Sequence, residues 1–161
     1  MVDQKGLKAL QFREAKESDI DDLVSLERQC FDTYYREHRF NEEDFMDYLC
    51  RKGAILLVAI LNSTLIGYAA GLVRTSTSQP SATLDSIAVL PPSRKKGVGD
   101  KLMQRFLEEV KKRRCRKVAL TVAVANENGV LFFKRRGFQR IRRLPAYYGK
   151  ELDGILMKID L

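Results

Sequence analysis

The stretch from residue 83 to residue 110 sets the strongest limit on what this chain can fold into. Residues 83–90, Thr-Leu-Asp-Ser-Ile-Ala-Val-Leu, form a short and largely apolar run of strand type, and Pro91-Pro92 stops it. A basic, glycine-containing segment follows, Ser93-Arg94-Lys95-Lys96-Gly97-Val98-Gly99. Beyond it Val98, Leu102, Met103, Phe106, Leu107 and Val110 recur at helical spacing. A strand that passes through such a turn into an amphipathic helix belongs to a layered fold, with helices covering a sheet.

The flanking segments extend this pattern. Residues 7–15 alternate as a first strand, and Ser18 offers an N-cap to a helix carrying Ile20, Leu23, Val24, Leu26 and Phe31. Asn41 repeats the device, with Glu42, Glu43 and Asp44 in the first turn and Phe45, Tyr48 and Leu49 inward. Residues 54–61 and 65–74 read as two strands joined at Asn62-Ser63-Thr64. Residues 117–124 form a strand, 126–136 a short helix ended by Gly137, and 138–143 and 155–159 two further strands. The order β-α-α-β-β-β-α-β-α-β-β predicts an α/β (α+β) fold, a mixed sheet of about seven strands with helices on both faces.

The chain has 161 residues, 45% of them hydrophobic and 31% charged, which fits one globular domain over 1–161. Its longest apolar run, Ala54–Leu61, is far short of the ~20 residues that span a bilayer. The first residues lack the apolar middle of a secretory signal. The three cysteines Cys30, Cys50 and Cys115 form no CxxC pair, and the chain has one histidine, so no metal site is expected. These features predict a reduced, cytoplasmic protein, monomeric or homodimeric, with no membrane partner. The net charge of +8 is uneven. Residues 19–47 hold ten acidic groups against three Lys or Arg, and residues 94–143 hold seventeen basic groups against four acidic. Basic surface suits nucleic acid or a polyphosphate ligand alike, and charge alone is a weak case for nucleic acid.

The glycine loop has chemistry of its own. Glycine permits a tight turn and close approach of a ligand to the backbone. The first amides of the following helix are free donors at its positive pole, which suits phosphate oxygens, and Arg94, Lys95 and Lys96 add charge. On spacing alone, an ordinary loop-to-helix junction fits equally well.

A wider comparison separates these readings. R-x-x-G-x-G after a strand ending Ile87-Ala88-Val89 resembles motif A of the GNAT superfamily of N-acetyltransferases. Residues 120–138, from Leu120-Thr121-Val122 through Asn126 and Phe132-Phe133 to Gly137-Phe138, are similar to its motif B. The resemblance implies a strongly twisted GNAT sheet, acetyl-CoA as cosubstrate and direct attack of a primary amine on the thioester. It places Ile87, Ala88 and Val89 along the pantetheine arm, with the Val89 amide facing the thioester carbonyl. It places Arg94, Lys95, Lys96, Gly97, Val98, Gly99 and Asp100 at the pyrophosphate, Asn126 on pantetheine and Phe133 beside the sulfur.

Two departures from the family pattern bear on proton transfer. Phe133 stands where the family's tyrosine is read as general acid, and Thr121 stands where relatives often carry Glu. Thr83 is also a poor base. Asp85, two residues on and on the same strand face, is the best remaining carboxylate, as a base or equally as a substrate-binding or structural anion. Tyr147-Tyr148, followed by Asp153 and Met157, resembles the ending of RimI-like protein N-terminal acetyltransferases, although Gly154 replaces the usual Ala. The resemblance implies that Tyr147 and Tyr148 hold the acceptor, with an edge-packing pair as the alternative; either tyrosine, Tyr148 foremost, is also a candidate to replace the missing acid.

Proton arithmetic narrows the acceptor. Near pH 7 an α-amine of pKa about 7.8 is roughly 10–15% neutral and a lysine of pKa about 10.4 only ~0.04% neutral, a difference of about 3.5 kcal/mol. A site without an evident base therefore favours the N-terminal α-amine of a protein or peptide, and the acidic early helices suit a cationic amine. A small-molecule amine is the alternative acceptor, and a non-catalytic acyl-CoA-binding module the alternative function. His38, between the acidic helices, reads as a surface residue rather than a base, and the cysteines read as packing residues.

Overall fold

In the computed structural model, which describes residues 9–31, 35–76 and 78–161, the sheet grows from a central hairpin. β2 (Ala54–Leu61) and β3 (Thr64–Arg74) pair antiparallel through Asn62 and Ser63, both at positive φ (49° and 66°). Two such residues in succession give the two-residue turn whose twist matches the flanking strands. β1 (Leu10–Glu14) lies outside β2, and β4 (Ser81–Val89) lies beyond β3. β5 (Lys117–Ala123), β7 (Gly154–Asp160) and β6 (Gln139–Leu144) complete the order β1-β2-β3-β4-β5-β7-β6. Among the described strands β4 and β5 are the parallel pair, and they stay in register only at Ala82↔Val118 and Thr83↔Ala119.

Helices cover both faces, as expected for the α/β reading. α1 (Ile20–Cys30) and α2 (Glu42–Cys50) bury Leu23, Leu26 and Phe45 against Val58, Tyr68 and Ala70 of the sheet. α3 (Val98–Lys112) buries Leu102, Met103, Phe106 and Val110 on the opposite face, and α4 (Glu127–Arg135) adds Phe133 to the same core. Among the described residues no helix is long and apolar enough to cross a membrane.

Element starts differ from expectation where a side chain has a stronger partner. Residues 7 and 8 of the expected first strand lie outside the described residues. Ser18 does not cap α1; it sits in a 3-10 turn, Glu17–Asp19, and the helix starts at Ile20. Asp19 fixes that turn, because its carboxylate accepts two bonds from Arg13 (2.7 and 3.0 Å) and one from the Lys16 amide (2.7 Å). Asn41 caps α2 as expected. Its Oδ1 accepts the Asp44 amide (3.0 Å), and the Asp44 carboxylate accepts the Asn41 amide (2.8 Å).

One irregularity positions the site. The β3–β4 register slips between Ala70 and Gly71, so Ser86 faces Ala70, Leu84 faces Gly71, and Asp85 is the extra residue of a bulge. The extra residue reverses the alternation of β4. Ala82 and Leu84 pack under α3, whereas Ala88 packs under α1 and α2 and Ser86 bonds Tyr68 of that core. Gly71 makes room for this, since a Cβ there would overlap the Thr83 carbonyl oxygen and the Phe106 ring.

Candidate active site

Beyond Thr83 the strands β4 and β5 part, and a cleft of about 1260 Å³ opens between them. Its walls include β4 from Thr83 to Val89 and β5 from Ala119 to Val122. Leu90 N–H bonds Ile66 O (2.8 Å), so by antiparallel alternation Ala88 and Ser86 are the hydrogen-bonded partners of β3. The amides of Ile87 and Val89 consequently point the other way, toward the gap left by β5.

One mouth of the cleft is the N-terminus of α3. Gly97 holds a left-handed conformation (φ 81°) as the N-cap. The helix ladder begins with Lys101 N–H to Gly97 O (3.1 Å), so the amides of Val98, Gly99 and Asp100 precede it. Gly99 lies against the Phe132 ring, which a Cβ would approach to 3.1 Å. Arg94, Lys95, Gly97, Gly99 and Asp100 line the cleft. Two expected residues sit differently. The Val98 side chain is buried in the core, which leaves only its amide for a ligand, and Lys96 is exposed outside the lining. Arg94 folds back so that its Nε donates to Val89 O (2.8 Å). Asp100 is ion-paired with Arg136, whose guanidinium lies 3.4 Å from the centre of the Phe132 ring.

The other mouth is aromatic. Tyr35 accepts hydrogen bonds at its hydroxyl from the Ala123 amide and Asn126 Nδ2, both at 3.0 Å. Asn126 also caps α4 by accepting the Gly129 amide (3.0 Å), so this expected pantetheine contact is also a structural pin. Tyr148 stands edge-on to Tyr35 (4.9 Å) and to His38 (5.5 Å), with Tyr147 behind it (4.8 Å). His38 is thus exposed, as expected, yet it lies on the rim of the cleft rather than on remote surface. Burial pushes the Tyr148 phenol well above its ordinary value. Asp153 anchors the tyrosine loop by accepting from Ala146 N–H (2.8 Å) and Arg143 Nε (2.6 Å), which hold its carboxyl below the usual range.

Between the mouths, Phe133 is buried and Thr121 half-buried in the cleft wall. The substitutions at 121 and 154 are coupled: a Cβ on Gly154 would come within 2.9 Å of Thr121 Cγ2 and 3.2 Å of Tyr147 Cβ. Asp85, the extra residue of the bulge, is exposed at the cleft and accepts a hydrogen bond from the Tyr48 hydroxyl of α2. Burial, with Asp85 adding to it, pushes the Tyr48 phenol far up.

This geometry is matched by similarity. Residues 20–138 fit the acetyltransferase (GNAT) family. The chain belongs to that family. It is 31% identical over 160 residues to the N-alpha-acetyltransferase of Sulfolobus acidocaldarius, spanning 94% of this chain and 92% of that one. Among solved structures, Arabidopsis thaliana NAA60 in complex with a bisubstrate analogue superposes with a TM-score of 0.82 at 21% identity, over 94% of this chain and 97% of that one. The ribosomal-protein-S18-alanine N-acetyltransferase of Escherichia coli gives 0.78 at 19%, over 94% and 93%. The protein is therefore an N-acetyltransferase on a GNAT fold.

The GNAT motifs point to neither Tyr48 nor the buried carboxylate Glu27. Glu27 is 2% exposed, accepts from the Tyr68 hydroxyl and the Phe40 amide (3.0 Å), and reaches the cleft wall. Its signal in the sequence is periodic: it falls four residues after Leu23, on the apolar face of α1, where a carboxylate needs a reason.

Proposed function

We propose that this N-acetyltransferase moves acetyl from acetyl-CoA to the N-terminal α-amine of a protein or peptide. The observation that carries the reading is a cleft that separates β4 from β5 and has two unlike mouths, one of helix amides and cations, one of tyrosines. The N-alpha-acetyltransferase name of the Sulfolobus relative supports the same acceptor.

The first mouth fits a pyrophosphate. The amides of Val98, Gly99 and Asp100 and the side chains of Arg94 and Lys95 offer donors and charge, and Gly99 keeps the approach open. Ile87 to Val89 present the strand amides that an amide-rich arm pairs with, and Asn126 and Phe133 complete the wall. The bound thioester supplies an activated acetyl group; the chain's own residues orient it and manage the protons. The outward Val89 amide is the donor for the acyl oxygen, and a fixed donor there favours the charge that develops on it.

On the acceptor side, Asp85 presents a negative charge to an incoming ammonium, held in place by Tyr48. Tyr147 and Tyr148 bracket the peptide. Because Tyr148 is a weaker acid than a free phenol, we assign it hydrogen-bond donation rather than proton transfer. A thiolate leaving group tolerates this, since its conjugate thiol has a pKa of only about 8.5.

Mass spectrometry of peptides with free and blocked N-termini, incubated with protein and acetyl-CoA, tests the assignment. Acetyl on the α-amine of free peptides alone is expected. Modification confined to lysine overturns it, and thiol release with a panel of small amines but no peptide transfers the function to a small acceptor.

A further inference from the structure

Behind the cleft wall a line of three oxygens leads into the core under α1. Ser86 Oγ lies 2.6 Å from the Tyr68 hydroxyl, and that hydroxyl donates to Glu27 Oε2. Tyr68 is fully buried, while Ser86 and Glu27 both border the cleft. A phenol has one proton. With it committed to Glu27, the Tyr68 oxygen must accept from Ser86, so the line has a direction, from the cleft wall to the carboxylate. Ser86 then presents lone pairs for a donor in the cleft, one residue after the bulge and one before Ile87.

We propose that Ser86, Tyr68 and Glu27 form the route by which the acceptor amine loses its proton, with Glu27 as the terminal base. This rests on the reading that the cleft acetylates an amine. The ammonium proton passes to Ser86 Oγ, the Ser86 proton to the Tyr68 oxygen and the Tyr68 proton to Glu27. The electron pair of the broken N–H bond stays on nitrogen as the lone pair that attacks the acyl carbon. Ser86 and Tyr68 each end with one proton as they began, and Glu27 ends neutral. Thr121, which stands where relatives often carry Glu, offers no base on β5 and leaves this task unfilled there.

The surroundings suit the role. Burial raises the Glu27 carboxyl to about 7, against the opposing pull of the Tyr68 hydroxyl, the Phe40 amide and Arg39, while Asp44 of α2 adds to the rise. Tyr68 itself is held far above an ordinary phenol by burial and by Glu27, with Cys30 contributing and Ser86 opposing. A proton moving from an α-ammonium of pKa about 7.8 to a group near 7 meets an adverse ratio of roughly sixfold. From a lysine of pKa about 10.4 the ratio is on the order of 10³. The same relay therefore favours α-amines.

The test compares the full-length protein with Ser86→Ala, Tyr68→Phe and Glu27→Gln on a free-N-terminus peptide at pH 7 and pH 9. At pH 7, where about 10–15% of the amine is already neutral, each variant is expected to lose roughly 5- to 7-fold in kcat/KM for peptide, with the KM for acetyl-CoA unchanged. At pH 9 the amine sheds its proton to water and is about 94% neutral, so the deficit should all but vanish. Damage to the fold would not be repaired by pH. Variants that match wild type at pH 7, or a deficit equal at both pH values, overturn the relay while leaving the activity standing. A wild-type protein that acetylates no amine overturns both. Should Glu27→Gln fail to fold, Ser86→Ala at the half-buried cleft wall decides by the same comparison.

Discussion

Asp19 and Tyr148 show how much single side chains decide. Arg13 donates to both oxygens of Asp19, and with the Lys16 amide this holds the carboxyl below its usual range despite burial. A depressed folded pKa contributes stability that is complete above the unfolded value, about 3.9, and is lost as pH falls through the folded value. Asp19→Asn should therefore cost about 2 kcal/mol in urea denaturation at pH 7, with the gap narrowing as pH falls below the unfolded value of about 3.9. Tyr148→Phe tests the acceptor mouth: losing one hydrogen bond should raise the peptide KM about 5- to 10-fold with kcat little changed. A large fall in kcat instead would make the phenol a proton donor. That the loop tyrosines lie near the cleft was legible from a contiguous motif, and that Asp85 does from its place as the one carboxylate on β4. Tyr48 against Asp85 and Tyr68 against Glu27 were not, since 37 and 41 residues separate the partners and only the folded sheet brings them together.

At the scale of elements, local chemistry was readable wherever it acted alone. The Asn41 cap, the Asn62-Ser63 turn and the Gly97 N-cap of α3 all lie where their residue types demand. Ser18 failed as a cap because Asp19 was recruited by Arg13 on a neighbouring strand, and the bulge at Asp85 has no signal outside the sheet. Gly154 and Thr121 sit on adjacent strands and share one space. Gly154→Ala alone should cost about 1–2 kcal/mol from overpacking. Thr121→Ser removes the Cγ2 that the new methyl meets, so the double variant should recover part of that loss in a double-mutant cycle. Strict additivity would show that Tyr147, not Thr121, sets the limit.

Charge is divided unevenly along the chain, and this belongs to no single residue. The acidic stretch over residues 19–47 includes α1 and α2, on the face of the sheet opposite α3. The basic stretch begins at Arg94, in the loop that leads into α3. A polyanionic cosubstrate and a cationic acceptor would each meet complementary charge, and exposed charges act over a distance that salt shortens from about 10 Å at 0.1 M. Raising salt from ~0.05 to ~0.3 M should therefore lift the KM for acetyl-CoA roughly 3- to 10-fold, while kcat at saturation stays constant. Peptides with Lys or Arg near the free N-terminus should lose their advantage over acidic peptides across the same range. An acetyl-CoA KM that ignores salt would mean that the helix amides and close contacts hold the cosubstrate without the field, and that the seventeen basic groups serve another surface.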